Sequence, residues 1–410
     1  MKTLYSCLAI ALLLTTHAQA NPALDASGTV KTSYWTGDRS LTQEADIGLA
    51  SVWGKARLST ETAGQLVAEA WLQSDTDNHQ QHSQVREFYW RFDGANWQLN
   101  IGKQLLAWGR ADGLNPTDNL SPKDFTQLAP KDSDLREGIV AVNGQYQLEN
   151  STLSLLWFPA AASHRIPVEQ MPGVDYRIAE APDKPQYALQ WDYLGASADM
   201  SLSWFDGYDL MPDLRVGKVG AEGLDIILHN QRLTVLGGDL SVAEGNRVWR
   251  AEIAWSQTDS SGTADFFHKK DQLWFVGGPE FNLRNNWVVG LQLSVKRVFD
   301  FAAPEDYLPS GILQQVAQRQ LATANQTRAT QTGITWRIAK SAFNDTVQME
   351  TSGVALADGE GGLRRAHVDY MPRDALHIRI GLEDYHGATA SFFGQLAQNR
   401  LGYVELAYDF

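Results

Sequence analysis

The sequence predicts an all-β fold: a transmembrane, antiparallel, up-and-down β-barrel of about 18 strands, with about 16 as the alternative. Three observations predict it. Short segments that alternate apolar and polar side chains recur from Ser27 to the last residue. The connections between them alternate short and long. Aromatic residues make up 10% of the chain, with 14 tryptophans, although the mean hydropathy is negative. A strand sends successive side chains to opposite faces, so one oily and one wet face give a period of two. In a transmembrane barrel only every second strand residue meets lipid, which reconciles an apolar belt with low overall hydropathy.

Residues 1–20 have the three parts of a secretory signal in order: Lys2, the apolar run Leu8 to Leu14, and the small-x-small site Ala18-Gln19-Ala20. The expected organisation is therefore a signal peptide (1–20) and a single barrel (21–410). The only cysteine, Cys7, falls in the signal, so disulfides, thiol nucleophiles and cysteine metal sites are excluded from the mature chain. Losing Lys2 moves the formal charge from −14 to −15. An acidic exported chain is a poor partner for nucleic acid, which needs clustered Lys and Arg. No mature stretch approaches the ~20 apolar residues of a membrane-spanning helix.

The strands follow in order. Leu66, Ala68, Ala70 and Leu72 alternate with Val67, Glu69, Trp71 and Gln73. Phe88, Trp90 and Phe92 alternate with Glu87, Tyr89 and Arg91. The pattern returns at 186–193, at 287–296 and at 376–383, where Leu376, Ile378, Ile380 and Leu382 oppose His377, Arg379, Gly381 and Glu383. The chain ends on Asn399 to Phe410, with Val404, Leu406, Tyr408 and Phe410 as its apolar set. A terminal aromatic on such a strand resembles the C-terminal signature of bacterial outer-membrane barrels. Trp35, Trp97, Trp157, Trp204, Trp255, Trp287, Tyr408 and Phe410 are expected in interface girdles near strand ends. A soluble sandwich also alternates, but it has no reason to sort short turns (such as 93–96, 149–151 and 244–246) to one end and long loops to the other. The long ones are expected at 74–84, 107–138, 159–185, 206–231, 257–271, 297–328 and 385–399. A hairpin inside 206–231 would change the strand count.

The most distinctive loop is 107–138, which follows a strand at 97–107. Asn115-Pro116-Thr117-Asp118 and Ser121-Pro122-Lys123-Asp124 are turn formers, so this loop is expected to be ordered and either to fold into the lumen or to stand outside as a lid. Trp108, Arg110, Asp112, Asn115, Asp118, Lys123, Asp124 and Arg136 are its candidate functional residues. The run Gly102-Lys103-Gln104 to Trp108-Gly109, followed by Asn115-Pro116-x-Asp118, resembles a family of Gram-negative outer-membrane barrels of unknown function, similar in style to alginate-export and other substrate-specific porins. It departs from that family at Lys103, where Arg is expected, and at Arg110, where an acid is common. The resemblance implies an outer-membrane channel. Lys103 shares parity with Trp97, Leu99 and Ile101, which aims a charge at lipid; a β-bulge at Gly102 turning Lys103 inward is the expected remedy, and snorkelling the alternative.

Inward parity falls on Arg337, Arg365, His367, Asp369, His377, Arg379 and Glu383, among other charged residues. Arg337, Arg365 and Arg379 are expected to form a basic wall facing the acidic loop, a transverse field that would bias which solutes pass. The bland alternative is that these charges pair with their neighbours. His79 and His82 with Asp75 and Asp77, and the loop acids, lack the spacing of dedicated metal sites. Neither a Gly-x-Ser-x-Gly elbow nor His-Glu-x-x-His occurs. The nearest to a catalytic cluster is His367, Asp369 and His377, and His367 with Asp369 reads as a lumen hydrogen-bond pair. The expectation is a passive, porin-like outer-membrane channel for small solutes, constricted by 107–138, with no enzyme activity, cofactor or metal. A non-channel barrel acting in assembly, export or partner binding through its loops is the alternative. Expected partners are outer-membrane lipid, lipopolysaccharide and small-molecule solutes; further copies of the chain are an open option.

Overall fold

Alternating strands leave every backbone group seeking a partner strand, and closing the sheet on itself satisfies all of them. The computed structural model describes residues 24–38, 45–60, 64–75, 81–111, 113–168, 172–220, 223–259, 262 and 265–410. The signal at 1–20, and Asp77, His79 and Asp112, lie outside them. The wall begins with β1 (Leu24–Gly37), β2 (Asp46–Thr60), β3 (Gly64–Asp75), β4 (Gln81–Asp93) and β5 (Trp97–Gln104). It continues with β6 (Ile139–Leu148) and β7 (Ser151–Phe158). After β8 (Val174–Ile178), which leaves the wall, come β9 (Gln186–Leu194) and β10 (Ala198–Tyr208). The hairpin β11 (Asp213–Gly220) and β12 (Gly223–His229) also stands apart. The wall resumes with β13 (Arg232–Glu244), β14 (Arg247–Thr258), β15 (Gln272–Leu283) and β16 (Trp287–Val298). It is completed by β17 (Thr330–Ala342), β18 (Val347–Leu356), β19 (Gly361–Arg373), β20 (Leu376–His386) and β21 (Leu401–Asp409). Helix α1 (Ile312–Thr323) lies between β16 and β17, and the single turn α2 (Phe392–Gln395) between β20 and β21.

Eighteen strands form one closed antiparallel sheet, as expected, and β1 seals it against β21 with Thr29 opposite Asp409. Two backbone bonds of 2.9 Å between Gly28 and Phe410 finish the seam. Only glycine fits at 28, because a Cβ there would lie 2.5 Å from the Phe410 ring. The 206–231 hairpin exists but leaves the count at 18. β11 and β12 pair with β8 in a separate three-stranded sheet beyond the barrel.

Tight turns collect at one end. Asn285 and Asn286, and Phe343, Asn344 and Asp345, turn the chain there with φ between 55° and 64°, a region that Asn and Asp tolerate best. Long connections collect at the other end, with two exceptions: β18 returns to β19 through Ala357 to Glu360, and the expected long loop at 74–84 shortens to 76–80 because β3 and β4 run into it. Outward-facing residues are large and apolar: Leu155, Leu202, Leu293, Leu382 and Tyr408 are all exposed. Trp97, Trp249, Trp287 and Tyr408 ring the short-turn end, and Trp157, Trp204 and Trp255 the long-loop end. Trp35 departs from the expected girdle. It shares parity with Lys31 and points inward, 1% exposed, with its ring stacked on Tyr403 at 4.5 Å.

The expected bulge at Gly102 is also corrected. The registers of β5 with both neighbours run unbroken through Gly102 and Lys103; the shift lies one strand away, where β4 carries the extra residue Arg86 opposite Glu69 and Ala70. That bulge turns Arg86 and Glu87 to the same side, and both are buried. Lys103 stays opposite the outward-facing Phe88 and Val140, half-buried along Gly138.

Candidate functional site

β5 and β6 are short, so the chain between them leaves the wall partway up and turns inward. Leu106, Trp108 and Leu120 then pack on inward apolar residues of the wall, among them Leu156, Phe158, Phe205 and Val235. Burying each large side chain there contributes about 1.5–3 kcal/mol. This apolar arc holds the body of the loop against β6 to β14.

Polar contacts hold its tip. Glu252 of β14 is 1% exposed and accepts four hydrogen bonds from the loop. They come from Arg110 N (3.2 Å), Ala111 N (3.1 Å), Thr117 N (2.7 Å) and Thr117 Oγ1 (2.9 Å). A carboxylate collecting N–H groups that have no strand to pair with satisfies donors that would otherwise be buried unmet. Two glycines make the approach possible. Gly109 sits at φ +92°, and a Cβ there would fall 2.2 Å from Asn115 Oδ1; a Cβ on Gly237 of β13 would fall 2.6 Å from Thr117 Cγ2. Arg110 reaches the wall, donating to Asp192 of β9 at 2.5 Å and to Asp239 of β13. Beyond them Gly113 comes within 3.9 Å of Thr335 Cβ on β17, measured from where its own Cβ would lie.

The returning limb is pinned on the other side. Arg86 donates to Arg136 O at 3.1 Å and Ser133 O at 2.7 Å. Lys31 of β1 pairs with Asp134 at 2.8 Å, and Arg365 of β19 with Asp132 at 2.7 Å. The 107–138 loop thus crosses the lumen from β5 to contacts on β14, β17, β19 and β1. Below it, toward the tight turns, a cavity of about 430 Å³ is walled by Lys55, Glu69, Asp369, Arg379, Lys131 and Asp134, among others.

The predicted loop residues divide by role. Asp118 and Arg136 brace the two limbs at 2.9 and 2.5 Å, with Lys123 Nζ 3.9 Å away. Asp124, 2% exposed, caps its own turn through Thr126 N at 2.9 Å and Gln127 Nε2 at 2.8 Å. Asn115 donates to Trp108 O at 2.8 Å. These residues shape the loop, and Arg110 fixes it to the wall.

The wall residues pair more than they face the loop. Arg337 binds Glu350 at 2.9 Å, with Glu280 at 3.6 Å; Arg379 grips Asp369 with both arms; Glu383 takes Arg365 at 3.2 Å. Among the described residues, only Arg365 of the expected basic wall touches an acid of the loop. The expected His367–Asp369 pair does not form, because Arg379 occupies Asp369; His377 lies 3.2 Å from Asp409 instead. Among the described residues no group of acids and histidines could hold a metal.

Sequence reasoning passed over Glu252 as one inward acid among many, although its position opposite Asp239 on the neighbouring strand marks a pair of inward acids. Of the outer cap it offered only the hairpin in 206–231, not the pairing with β8 or the packing on α1. There β8, β11 and β12 pack on α1 through Val174, Leu214, Leu224, Ile226 and Val316. Gln320 of α1 stitches the two together, accepting from Leu214 N at 2.6 Å and donating to Asp213 at 2.5 Å. Lys269 ties in Asp209 at 2.5 Å. Burial, with Asp209 adding like charge, pushes the Asp213 carboxyl up to about 7. His164 accepts the Lys123 N–H at 2.8 Å through Nδ1, and burial lowers its pKa to about 4.

No family model matches the chain, and no curated protein matches it. Solved structures do. The outer membrane protein opdK from Pseudomonas aeruginosa superposes with a TM-score of 0.58 at 11% identity, over 94% of this chain and 99% of that one. OccAB1 of Acinetobacter baumannii gives 0.58 at 10% identity, over 95% and 96%. OccK3 (OpdO) of P. aeruginosa gives 0.58 at 12% identity, over 94% and 95%. At such identities the likeness is one of fold.

Proposed function

We propose that the protein is a passive, substrate-selective channel of the outer membrane, with the 107–138 loop as its constriction. The observation that carries this reading is the four-donor anchorage on Glu252, which holds a long loop across a polar lumen. The outer-membrane setting is supported by the apolar belt, the two aromatic girdles and the fold shared with an outer membrane protein. Lipid and lipopolysaccharide contact the belt, and residues 1–20 direct export. Solutes move down their own gradient, sorted by the width left beside the loop and by the paired charges that line it. Arg379 occupies Asp369 and His377 lies beside Asp409, an arrangement that supports a solvated, charge-paired wall rather than a catalytic cluster.

The cap at the long-loop end favours a second reading, a barrel kept closed until something moves β8, β11, β12 and α1. A liposome-swelling assay with graded neutral solutes separates the two. A sharp size cut-off supports the channel. No swelling from folded barrels, with swelling after removal of 213–229, supports the closed barrel and refutes passive diffusion.

A further inference from the structure

Above the inserted loop, a cavity of about 270 Å³ opens between the loop tip, the inner face of β14 to β17, the end of α1 and the Phe392–Phe393 pair. Its size suits a small molecule, below the ~300 Å³ at which drug-sized pockets begin. Two side chains in its wall carry unmet chemistry. Lys296 of β16 is 4% exposed; its ammonium lies 4.1 Å over the Trp274 ring and donates to Asn325 O at 3.1 Å. No carboxylate among the described residues pairs with it, and the neighbouring Lys269 has Asp209 for itself. Glu360, the carboxylate whose charge reaches it, is engaged by Thr327 and Arg328, so the buried ammonium lacks a direct counter-ion that a ligand carboxylate would supply.

Directly across the strand pair stands Gln331 of β17, also 4% exposed. Its amide orientation is set by its partners. Thr327 gives its hydroxyl proton to Glu360 at 2.5 Å, so toward Gln331 it only accepts, and Gln331 Nε2 is the donor at 3.0 Å. Asn325 Oδ1 takes a second bond from Nε2 at 3.3 Å. Gln331 Oε1 is left buried and without a partner among the described residues. The site therefore presents one cation and one lone acceptor on adjacent strands, with Leu114, Val354, Leu356 and Phe393 as apolar walls.

We propose that this vestibule cavity is a binding site for a small 2-hydroxycarboxylate with an apolar tail: the carboxylate on Lys296, the hydroxyl donating to Gln331 Oε1, and the tail against the phenylalanine pair. A hydroxyl fits the acceptor better than an ammonium, which Lys296 would repel. As the first stop on a route through the barrel the site rests on the channel reading; as a binding site it does not.

The test is calorimetric titration of folded protein in detergent with 2-hydroxy-4-methylpentanoate. 4-Methylpentanoate, 4-methylpentane-1,2-diol and leucine are the comparison probes. The hydroxy acid should bind best, with the deoxy acid about tenfold weaker for one lost hydrogen bond. The diol should bind about 10- to 100-fold weaker for the lost charge, and leucine should bind more weakly than the hydroxy acid. K296M, which keeps the apolar stem, should abolish binding of both acids. Q331L should erase the preference for the hydroxy acid while anion binding persists. Absence of binding to wild type, equal binding by K296M, or a tenfold preference surviving in Q331L overturns the site. Bilayer recordings on the same samples separate the two proposals: pores without binding sink the site alone, and binding without pores sinks the channel alone.

Discussion

Replacing Glu252 with alanine should free the loop tip while leaving the barrel closed. Four donors converge on that carboxylate, two of them, from Thr117, at 2.7 and 2.9 Å. A hydrogen bond to a charged group is worth ~1.5–3 kcal/mol, and the two longer bonds from Arg110 N and Ala111 N count for less. Water entering the vacated space recovers part of the loss. The remainder is about 3–5 kcal/mol, or roughly a 10²- to 10⁴-fold shift from docked toward undocked tip. Arg110 still holds Asp192, and the apolar packing of Trp108 and Leu120 is untouched, so the tip frays while the loop base stays. In planar bilayers the variant should show brief transitions to a larger conductance, and amides 109–117 should exchange faster. E252Q, which keeps one acceptor oxygen, should fall between. Conductance, current noise and exchange all equal to wild type would refute the anchoring role.

Acidity should act on the cap and on the loop contact with opposite signs. Asp213 titrates near 7 when the cap is docked and near 3.8 when free, so docking is strongest below 3.8 and weakens as pH rises through 7. Exchange at β11 and α1 should quicken across that range, and D213N should abolish the dependence. His164 runs the other way: its contact with Lys123 N is fully held above about 6.5 and lost as pH falls toward 4, at a cost of about 3 kcal/mol. Raised exchange at 121–125 by pH 4.5, absent in H164N, would show it. Gly113 and Thr335 lie at a spacing that a disulfide spans, so a G113C/T335C pair in protein expressed without residues 1–20, which hold Cys7, should cross-link under mild oxidation and shift on gels. Failure to cross-link would place the tip away from β17.

Strand number and facing were legible because lipid and lumen impose opposite demands on alternate residues, as Tyr403, Glu405 and Ala407 show against Val404, Leu406 and Tyr408. The exceptions are informative. Along β6 to β14 the lumen face holds apolar residues such as Phe158 and Phe205 because a loop packs there, so local alternation cannot report which side is wet. Trp35 was misplaced because its position near a strand end outweighed its parity with Lys31. The parallel pairing of β8 with β12 joins segments about fifty residues apart and leaves no local periodicity to read. The loop's turn formers announced an ordered structure, but its anchors are wall residues, and a sequence does not say which inward acid a loop tip will meet.

If the 107–138 loop narrows an open barrel, removing its tip must widen the pore. The measurement is single-channel conductance of refolded protein spanning residues 21–410, beside a Gly113–Lys131 deletion of it. Wild type should show steady small pores and the deletion a markedly larger conductance, since the contacts of Asp132 and Asp134 to the wall remain while the tip is gone. Equal conductance in the two, or none in either from correctly folded barrels, would contradict it.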